Sequence, residues 1–84
     1  MDHKTLASID GTWALKKFPQ RLRLARNTRG YGQKDLLFQT GLQPSAISHF
    51  ECGRRRPSLL NLIRLAIALR VTIDYLVGFG KEEV

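Results

Sequence analysis

The segment at residues 33–51 constrains the fold of this 84-residue chain more than any other part of the sequence. It contains two short amphipathic patterns separated by Gly41. Glycine readily adopts the left-handed conformation that often follows a helix, and Leu42 supplies an apolar side chain at the corner. Two helices that meet through a short, glycine-containing turn form a helix-turn-helix. The segment therefore predicts this motif at the centre of the fold.

The apolar spacing within the motif identifies the faces that point inward. Helical residues three or four positions apart share one face. The first pattern leaves one alternative open, because either Phe38 or Thr40 could stand at the edge of its apolar face. The predicted inward residues are Leu36 and Leu37 in the first helix of the motif, and Ala46, Ile47 and Phe50 in the second.

Three further helices are predicted around the motif, which makes the fold all-α with five helices. The first is expected to begin at Pro19, because proline suits the first helical position, and to end near Arg29. The fourth follows Ser58 and the fifth follows Thr72, both of which are suitable N-caps. The fourth is apolar on most sides, so it is expected to be the central core helix with a flank left for a partner.

The first of these helices combines an apolar stripe with four arginines. Its expected inward residues are Phe18, Leu22, Leu24 and Ala25. Its arginines are expected to point mostly outward, because a charged side chain is rarely buried without a partner; they are Arg21, Arg23, Arg26 and Arg29.

The length of the chain allows one small domain. Residues 1–17 are expected to form an N-terminal tail or arm, residues 18–80 the helical domain, and residues 81–84 a C-terminal tail. No apolar run is long enough to cross a bilayer and no targeting signal is visible. A cytoplasmic protein without a membrane partner is therefore expected.

Basic residues dominate the charge of the chain. The net charge is +7 and the isoelectric point about 10.4, which favours a polyanionic partner. The three consecutive arginines at residues 54–56 follow the motif directly, where a nucleic-acid backbone would lie. A solvated basic face on a protein-binding module is the alternative.

No residue pattern supports catalysis or a cofactor. The sequence has no acid pair, no nucleophile beside a base and no glycine-rich phosphate loop. Cys52 lies three residues after His49, but two ligands do not complete a structural zinc site. The chain is therefore expected to be neither an enzyme nor a metalloprotein, and to need no cofactor.

Residues 18–78 resemble the lambda-repressor-like, Xre-type helix-turn-helix domain, a five-helix bundle that binds DNA. The match covers nearly three-quarters of the chain without a gap. The residues that carry the resemblance are Leu22, Arg23, Gln33, Leu36, Leu37, Gly41, Leu42, Ser45, Ile47, Ser48, Phe50, Glu51, Gly53, Arg54, Arg55, Arg56, Pro57, Ser58, Leu62, Leu65, Ala66, Leu69, Val71, Asp74, Tyr75 and Leu76.

The resemblance implies that residues 44–52 form a recognition helix in the major groove of DNA. Pro44 stands where many family members have a long polar side chain, and it cannot donate a hydrogen bond to a base. Gln43 is expected to take over part of that task. The residues implied in base readout are Gln43, Pro44, Ser45, Ser48 and His49.

The resemblance also implies contacts with DNA phosphates. Gln33 at the start of the second helix corresponds to a phosphate-binding residue of the family. Arg54, Arg55 and Arg56 are implied to clamp the backbone. Lys16 and Lys17 precede the expected first helix without a stabilising role there, so they are either further phosphate contacts or a solvated basic pair.

The expected function is sequence-specific binding of double-stranded DNA by a transcriptional regulator. A dimeric repressor on a palindromic operator is expected, since one domain of this kind contacts one half-site. Val77 and Phe79 are the candidate dimer surface, unless both complete the core. The alternatives are an antitoxin with a toxin protein as partner, a restriction-modification controller, and a protein–protein adaptor.

Overall fold

The computed structural model describes residues 12–79, and side-chain positions are considered for all of these except residues 12, 13 and 15. Within this range the chain forms five helices and no strand, which confirms the all-α prediction. The expected C-terminal tail and residues 1–11 of the expected N-terminal arm lie outside it. The helices are α1 (Thr12–Thr28), α2 (Gln33–Thr40), α3 (Ala46–Glu51), α4 (Leu59–Leu69) and α5 (Ile73–Leu76).

The predicted start of the first helix was wrong, because α1 begins at Thr12 and Pro19 lies inside it. A proline inside a helix removes one backbone donor and crowds the carbonyl oxygen four residues earlier, yet the helix continues on both sides of Pro19. The ring of Phe18 packs edge-on against that of Phe50 in α3, with centroids 6.0 Å apart and an interplanar angle of 68°. Residues 12–17 are therefore part of a helix rather than of a tail.

The turns and caps follow the sequence prediction closely. Gly41 adopts φ +70° and its N–H donates to the Leu37 carbonyl oxygen, which closes α2 in a left-handed cap. Ser58 and Thr72 accept hydrogen bonds from backbone N–H groups in the first turns of α4 and α5. Arg70 closes α4 with φ +56°, and no other described residue besides glycine has a positive φ.

The core lies where the helices of the motif meet α1, α4 and α5. Thr40, not Phe38, is the buried edge residue of α2, whereas the Phe38 side chain is 91% exposed. Leu24 was expected inside but is exposed on α1. The described buried apolar residues are Phe18, Leu22, Ala25, Leu36, Ala46, Ile47, Phe50, Leu65, Ala66, Leu69, Tyr75 and Leu76.

Two arginines of α1 hold neighbouring helices instead of pointing outward. The guanidinium of Arg21 is buried, lies 4.7 Å from the centre of the Tyr75 ring and donates to the Tyr75 carbonyl oxygen at 3.0 Å. Arg29 donates to the carbonyl oxygens of Leu69 and Arg70 at 2.7 and 3.2 Å. Each contact places a cation at backbone carbonyls near the end of a helix, where positive charge is favourable.

The outer side of α4 keeps an exposed apolar flank, as the sequence predicts. Ile67 is 73% exposed, and Leu59 and Leu60 are exposed at the start of the helix. At the C-terminal end, Phe79 is exposed and Val77 is half-buried. Within residues 12–79, no helix combines the length and the apolar character that crossing a membrane requires.

Candidate nucleic-acid interface

The expected recognition helix is shorter at its start than the sequence suggests. α3 spans Ala46–Glu51, while Pro44 and Ser45 form a tight turn ahead of it. The Ala46 N–H donates to the Gln43 carbonyl oxygen at 2.9 Å, and the first bond with helical spacing runs from the His49 N–H to the Ser45 carbonyl oxygen. Pro44 has no N–H to add to this pattern, so it shapes the turn instead of the helix.

The outward side of α3 and its entry turn carries the polar residues expected to read bases. Gln43, Pro44 and Ser45 are exposed, whereas Ser48 and His49 are half-buried. Ala46, Ile47 and Phe50 form the opposite, buried side. The helix is thus held by its apolar stripe, and its polar stripe is free to meet a partner.

Two of these residues have part of their hydrogen-bonding capacity already used or shielded. The Ser48 hydroxyl donates to the Ser45 carbonyl oxygen at 3.0 Å, which leaves its oxygen as an acceptor. The His49 Nδ1 is buried and has no hydrogen-bond partner within the described part of the chain. An outside group can therefore reach His49 only through Nε2.

Arg54, Arg55 and Arg56 form a loop directly after α3, the arginine loop, whose side chains project into solvent. The Arg54 and Arg55 N–H groups donate to the His49 carbonyl oxygen at 2.9 and 3.4 Å, so the loop caps the end of the helix. Arg54, Arg55 and Arg56 are all exposed. Their side chains make no ion pair or hydrogen bond with another described residue, which leaves three cations available beside α3.

The arginine loop lies next to the N-terminal half of α1. Phe18 and Pro19 line a pocket of about 220 Å³ together with Gly53 and the three arginines. Lys16 is exposed and Lys17 is half-buried, one turn or less from that pocket along α1. The longer first helix therefore places the two lysines on the same helix as two residues that line this pocket.

A buried carboxylate, that of Glu51, lies at the same C-terminal end of α3. The Glu51 side chain is 5% exposed, and its two oxygens accept from Arg26 Nε at 2.6 Å and Arg26 Nη2 at 2.9 Å. Such a two-point pair is the favoured geometry between arginine and a carboxylate. Arg26 also donates to the Tyr31 carbonyl oxygen at 2.8 Å, so the pair joins α1, α3 and the loop before α2.

The pair with Glu51 favours the charged form of Arg26. Hydrogen bonding to Glu51 raises the pKa of Arg26 above its ordinary value, and the charge of Glu51 adds to this, while burial acts in the opposite direction. A cation with a raised pKa contributes stability that is lost only when the pH rises through that pKa. Arginine is protonated throughout the neutral range in any case, so at neutral pH the pair stabilises the fold without changing the charge of Arg26.

Gln33 meets the same carboxylate from the start of α2. Its Nε2 donates to Glu51 Oε1 at 3.3 Å, and the side chain is otherwise exposed. The neighbouring Gly32 N–H donates to Asp35 Oδ2 at 2.7 Å, which caps the helix. Gln33 therefore lies at the C-terminal end of α3, away from its entry turn. The arginine loop follows that same end of α3 in the chain.

Sequence reasoning missed the cluster of Arg23, Arg26, Gln33 and Glu51. The signal was present, because Glu51 lies four residues after Ile47 and one after Phe50, on the inward stripe of α3. An acid on an apolar stripe requires a buried cation or donor as partner. The arginines of α1 were the available cations.

A metal site would need several ligating side chains close together in residues 12–79. Within that range no group of three His, Cys, Asp or Glu side chains is arranged to hold a metal ion. Cys52 is exposed, and its sulfur lies 3.5 Å from the His49 carbonyl oxygen.

Comparisons with known proteins agree on one fold. A family model described as helix-turn-helix, HTH_3, matches residues 22–76. The chain is similar to the crystal structure of the restriction-modification controller protein C.AhdI from Aeromonas hydrophila, with 42% sequence identity and a TM-score of 0.70. That similarity covers 74% of this chain and 94% of the other. A search of curated proteins found no match.

Proposed function

This chain belongs to the helix-turn-helix family of DNA-binding regulators, and from that premise we propose that it represses transcription as a homodimer on a palindromic operator. The observation that carries the proposal is the two-sided character of α3. One side is packed into the core, and the other carries polar side chains, with Gln33 and the arginine loop both at its C-terminal end. The major groove of B-DNA admits one helix of this kind.

In the proposed complex, α3 reads base edges from the groove. Gln43 can pair with adenine N6 and N7 through both ends of its amide. Ser48 acts as an acceptor, because its proton is directed to Ser45, and it suits the amino groups of adenine or cytosine. Pro44 contributes an apolar contact and the shape of the turn, while Ser45 and His49 complete the reading surface.

Phosphate contacts fix α3 in the groove. Gln33 binds the backbone on one side, and Arg54, Arg55 and Arg56 bind it on the other. Lys16 and Lys17 extend the basic surface from α1. Contacts of this kind give affinity for any sequence and set the register in which the readers meet the bases.

Two copies are needed in this proposal, because one α3 covers one half-site. In related docking arrangements the half-sites are about 34 Å apart, one turn of the double helix. Phe79 and Val77 at the end of the chain are the proposed dimer surface, and the exposure of Phe79 supports their use. The proposed site of action is the cytoplasm, with the DNA.

A restriction-modification controller is the second candidate function. The 42% identity with a protein described by that role favours it over the antitoxin and protein-adaptor alternatives. The controller would use the same α3 surface on DNA. The two leading candidates therefore differ in the genes they regulate, not in how they bind.

Selection of bound duplexes from a random DNA pool tests the proposal. We expect a palindrome whose half-sites are about one helical turn apart, and a dimer on it by sedimentation. Affinity should fall by about 10³–10⁵ between 50 and 200 mM salt. Binding that is insensitive to salt, or enrichment of no sequence, would instead favour a protein adaptor, which can then be tested against a toxin or another protein. Lower output from a reporter with the selected site in its promoter would support repression, and higher output would contradict it.

A further inference from the structure

Arg23 differs from the other arginines of α1 in combining exposure with contact to α3. Its side chain is 56% exposed. Its Nη2 donates to the Glu51 carbonyl oxygen at 3.0 Å, and its Nε lies 3.8 Å from Glu51 Oε1. The guanidinium is therefore held at the end of α3 while much of it faces solvent.

Glu51 does not neutralise the charge of Arg23. Arg26 already binds both oxygens of that carboxylate, and Arg26 is only 13% exposed. One carboxylate between two guanidiniums leaves one positive charge in excess. Because Arg26 is covered, that excess reaches solvent at Arg23. Asp35 at the start of α2 accepts from the Gly32 N–H and follows Lys34 in the sequence.

Arg23 and Gln33 converge on the same residue. Gln33 Nε2 donates to Glu51 Oε1, and Arg23 Nη2 donates to the carbonyl oxygen of Glu51. Both side chains keep further donors: the second N–H of the Gln33 amide and the Nη1 of Arg23 have no partner among residues 12–79. A cation and an amide held by one buried residue offer donors that suit an anion with several oxygens.

A stabilising surface ion pair is the ordinary explanation for an exposed arginine near an acid. Such pairs contribute little to stability, and here the carboxylate is already satisfied by a better-placed arginine. The Arg23 interaction is also directed to a carbonyl oxygen, which fixes the position of the guanidinium more than it neutralises charge.

We propose that Arg23 and Gln33 together bind one DNA phosphate, and that Glu51 is the residue that positions them. The proposal rests on the proposed function and adds to it a cation that the family resemblance did not assign. Arginine suits this role because its planar fork can bond two oxygens of one phosphate. Glu51 does not touch the phosphate; it sets the distance between the two side chains that do.

The test is a salt titration of DNA binding with charge-matched variants of the full chain. Arg23→Gln removes the charge and keeps a polar side chain. Arg70→Gln removes one charge from an exposed arginine with no contact to the Arg23–Glu51 cluster. Binding to a labelled duplex of random sequence is measured by fluorescence anisotropy between about 50 and 200 mM salt.

We expect Arg23→Gln to weaken binding about tenfold and to reduce the slope of log affinity against log salt by about 0.9. Arg23→Lys should retain the slope and lose only part of the affinity, since it keeps the charge without the fork. Combining Arg23→Gln with Gln33→Ala should cost less than the product of the two single effects, because both act on one phosphate.

Equal slopes for the wild type, Arg23→Gln and Arg70→Gln would overturn the inference, provided that their melting temperatures agree. Equal reductions by Arg23→Gln and Arg70→Gln would also overturn it, because net charge alone would then explain the effect. A wild-type protein that binds no duplex, or binds without salt dependence, would contradict the proposed function itself, and so the two failures can be told apart.

Discussion

Arg26 and Glu51 join α1 to the end of α3 through two hydrogen bonds, of 2.6 and 2.9 Å, between a guanidinium and a carboxylate that are both largely shielded from water. The pair lies 25 residues apart in sequence. It stands beside the surface proposed to meet DNA, and it also supports the Gln33 side chain. Glu51 therefore contributes both to the stability of the fold, through Arg26, and to the position of Gln33, which is proposed to bind DNA.

Removing Arg26 should destabilise the fold more than a surface change would. Arg26→Met leaves Glu51 with a buried charge, and such a break is expected to cost about 3 kcal/mol of unfolding free energy. Urea denaturation followed by circular dichroism measures it. Adding Glu51→Met to the same chain should restore part of the loss, because no charge is then left unpaired. A loss below about 1 kcal/mol in the single variant would mean that the pair contributes like a surface one.

Arg55→Ala should weaken binding to all DNA sequences to the same extent. Its side chain is exposed on the loop after α3 and is proposed to contact a phosphate, which carries no sequence information. The salt slope is expected to fall by about one. The measurement compares the selected operator with a scrambled duplex at several salt concentrations. A loss confined to the operator would show that Arg55 reads bases.

Gln43→Ala should affect the operator alone. The expected loss is about 1–3 kcal/mol, since a bidentate contact with a base would disappear while the phosphate contacts remain. Ser48→Ala should give a loss on the operator in the same range, because its oxygen is proposed to accept from a base. Titrations on operator and scrambled duplex check both variants. Equal losses on the two duplexes would exclude these residues as readers.

Ser58→Ala and Ser45→Ala form a matched pair that separates folding from binding. The Ser58 side chain accepts from the Asn61 N–H, whereas Ser45 occupies the same position before α3 without a side-chain cap bond. Ser58→Ala should therefore lower the unfolding free energy by about 1 kcal/mol. Ser45→Ala should leave stability nearly unchanged and weaken operator binding. The reverse pattern in urea denaturation and DNA titration would contradict both assignments.

The helices and their caps could be predicted because they depend on near neighbours. Gly41, Ser58 and Thr72 act within one turn of their own helix, and the apolar spacing of α3 needs only the residues of that helix. Pro19 was misjudged because its usual place at a helix start is a local preference, while Phe18 packs against Phe50, 32 residues later in the chain.

The candidate site could be predicted less well for the same reason. Arginine was expected to point outward from α1, yet Arg21, Arg26 and Arg29 turn toward carbonyl or carboxylate oxygens on other elements. A helical pattern shows which face of the helix a residue occupies. It does not show whether another element places a hydrogen-bond acceptor next to that face. The residues proposed to read bases and the arginines of the loop were predicted to face away from the core, which does not depend on a partner elsewhere in the chain. Their exposed or partly exposed positions agree with that prediction.

The contacts of Glu51 with Gln33 and Arg23 also affect the entropy change when DNA binds. Gln33 is restrained by the Glu51 carboxylate and Arg23 by the Glu51 carbonyl oxygen, so both side chains should lose less conformational freedom on binding DNA than free side chains would. The arginines of the loop make no such contact and must be ordered on binding, at about 0.5–1.5 kcal/mol for each long side chain. The side chains of Arg23 and Gln33 are thus positioned during folding, whereas the arginines of the loop become ordered on the backbone that they bind.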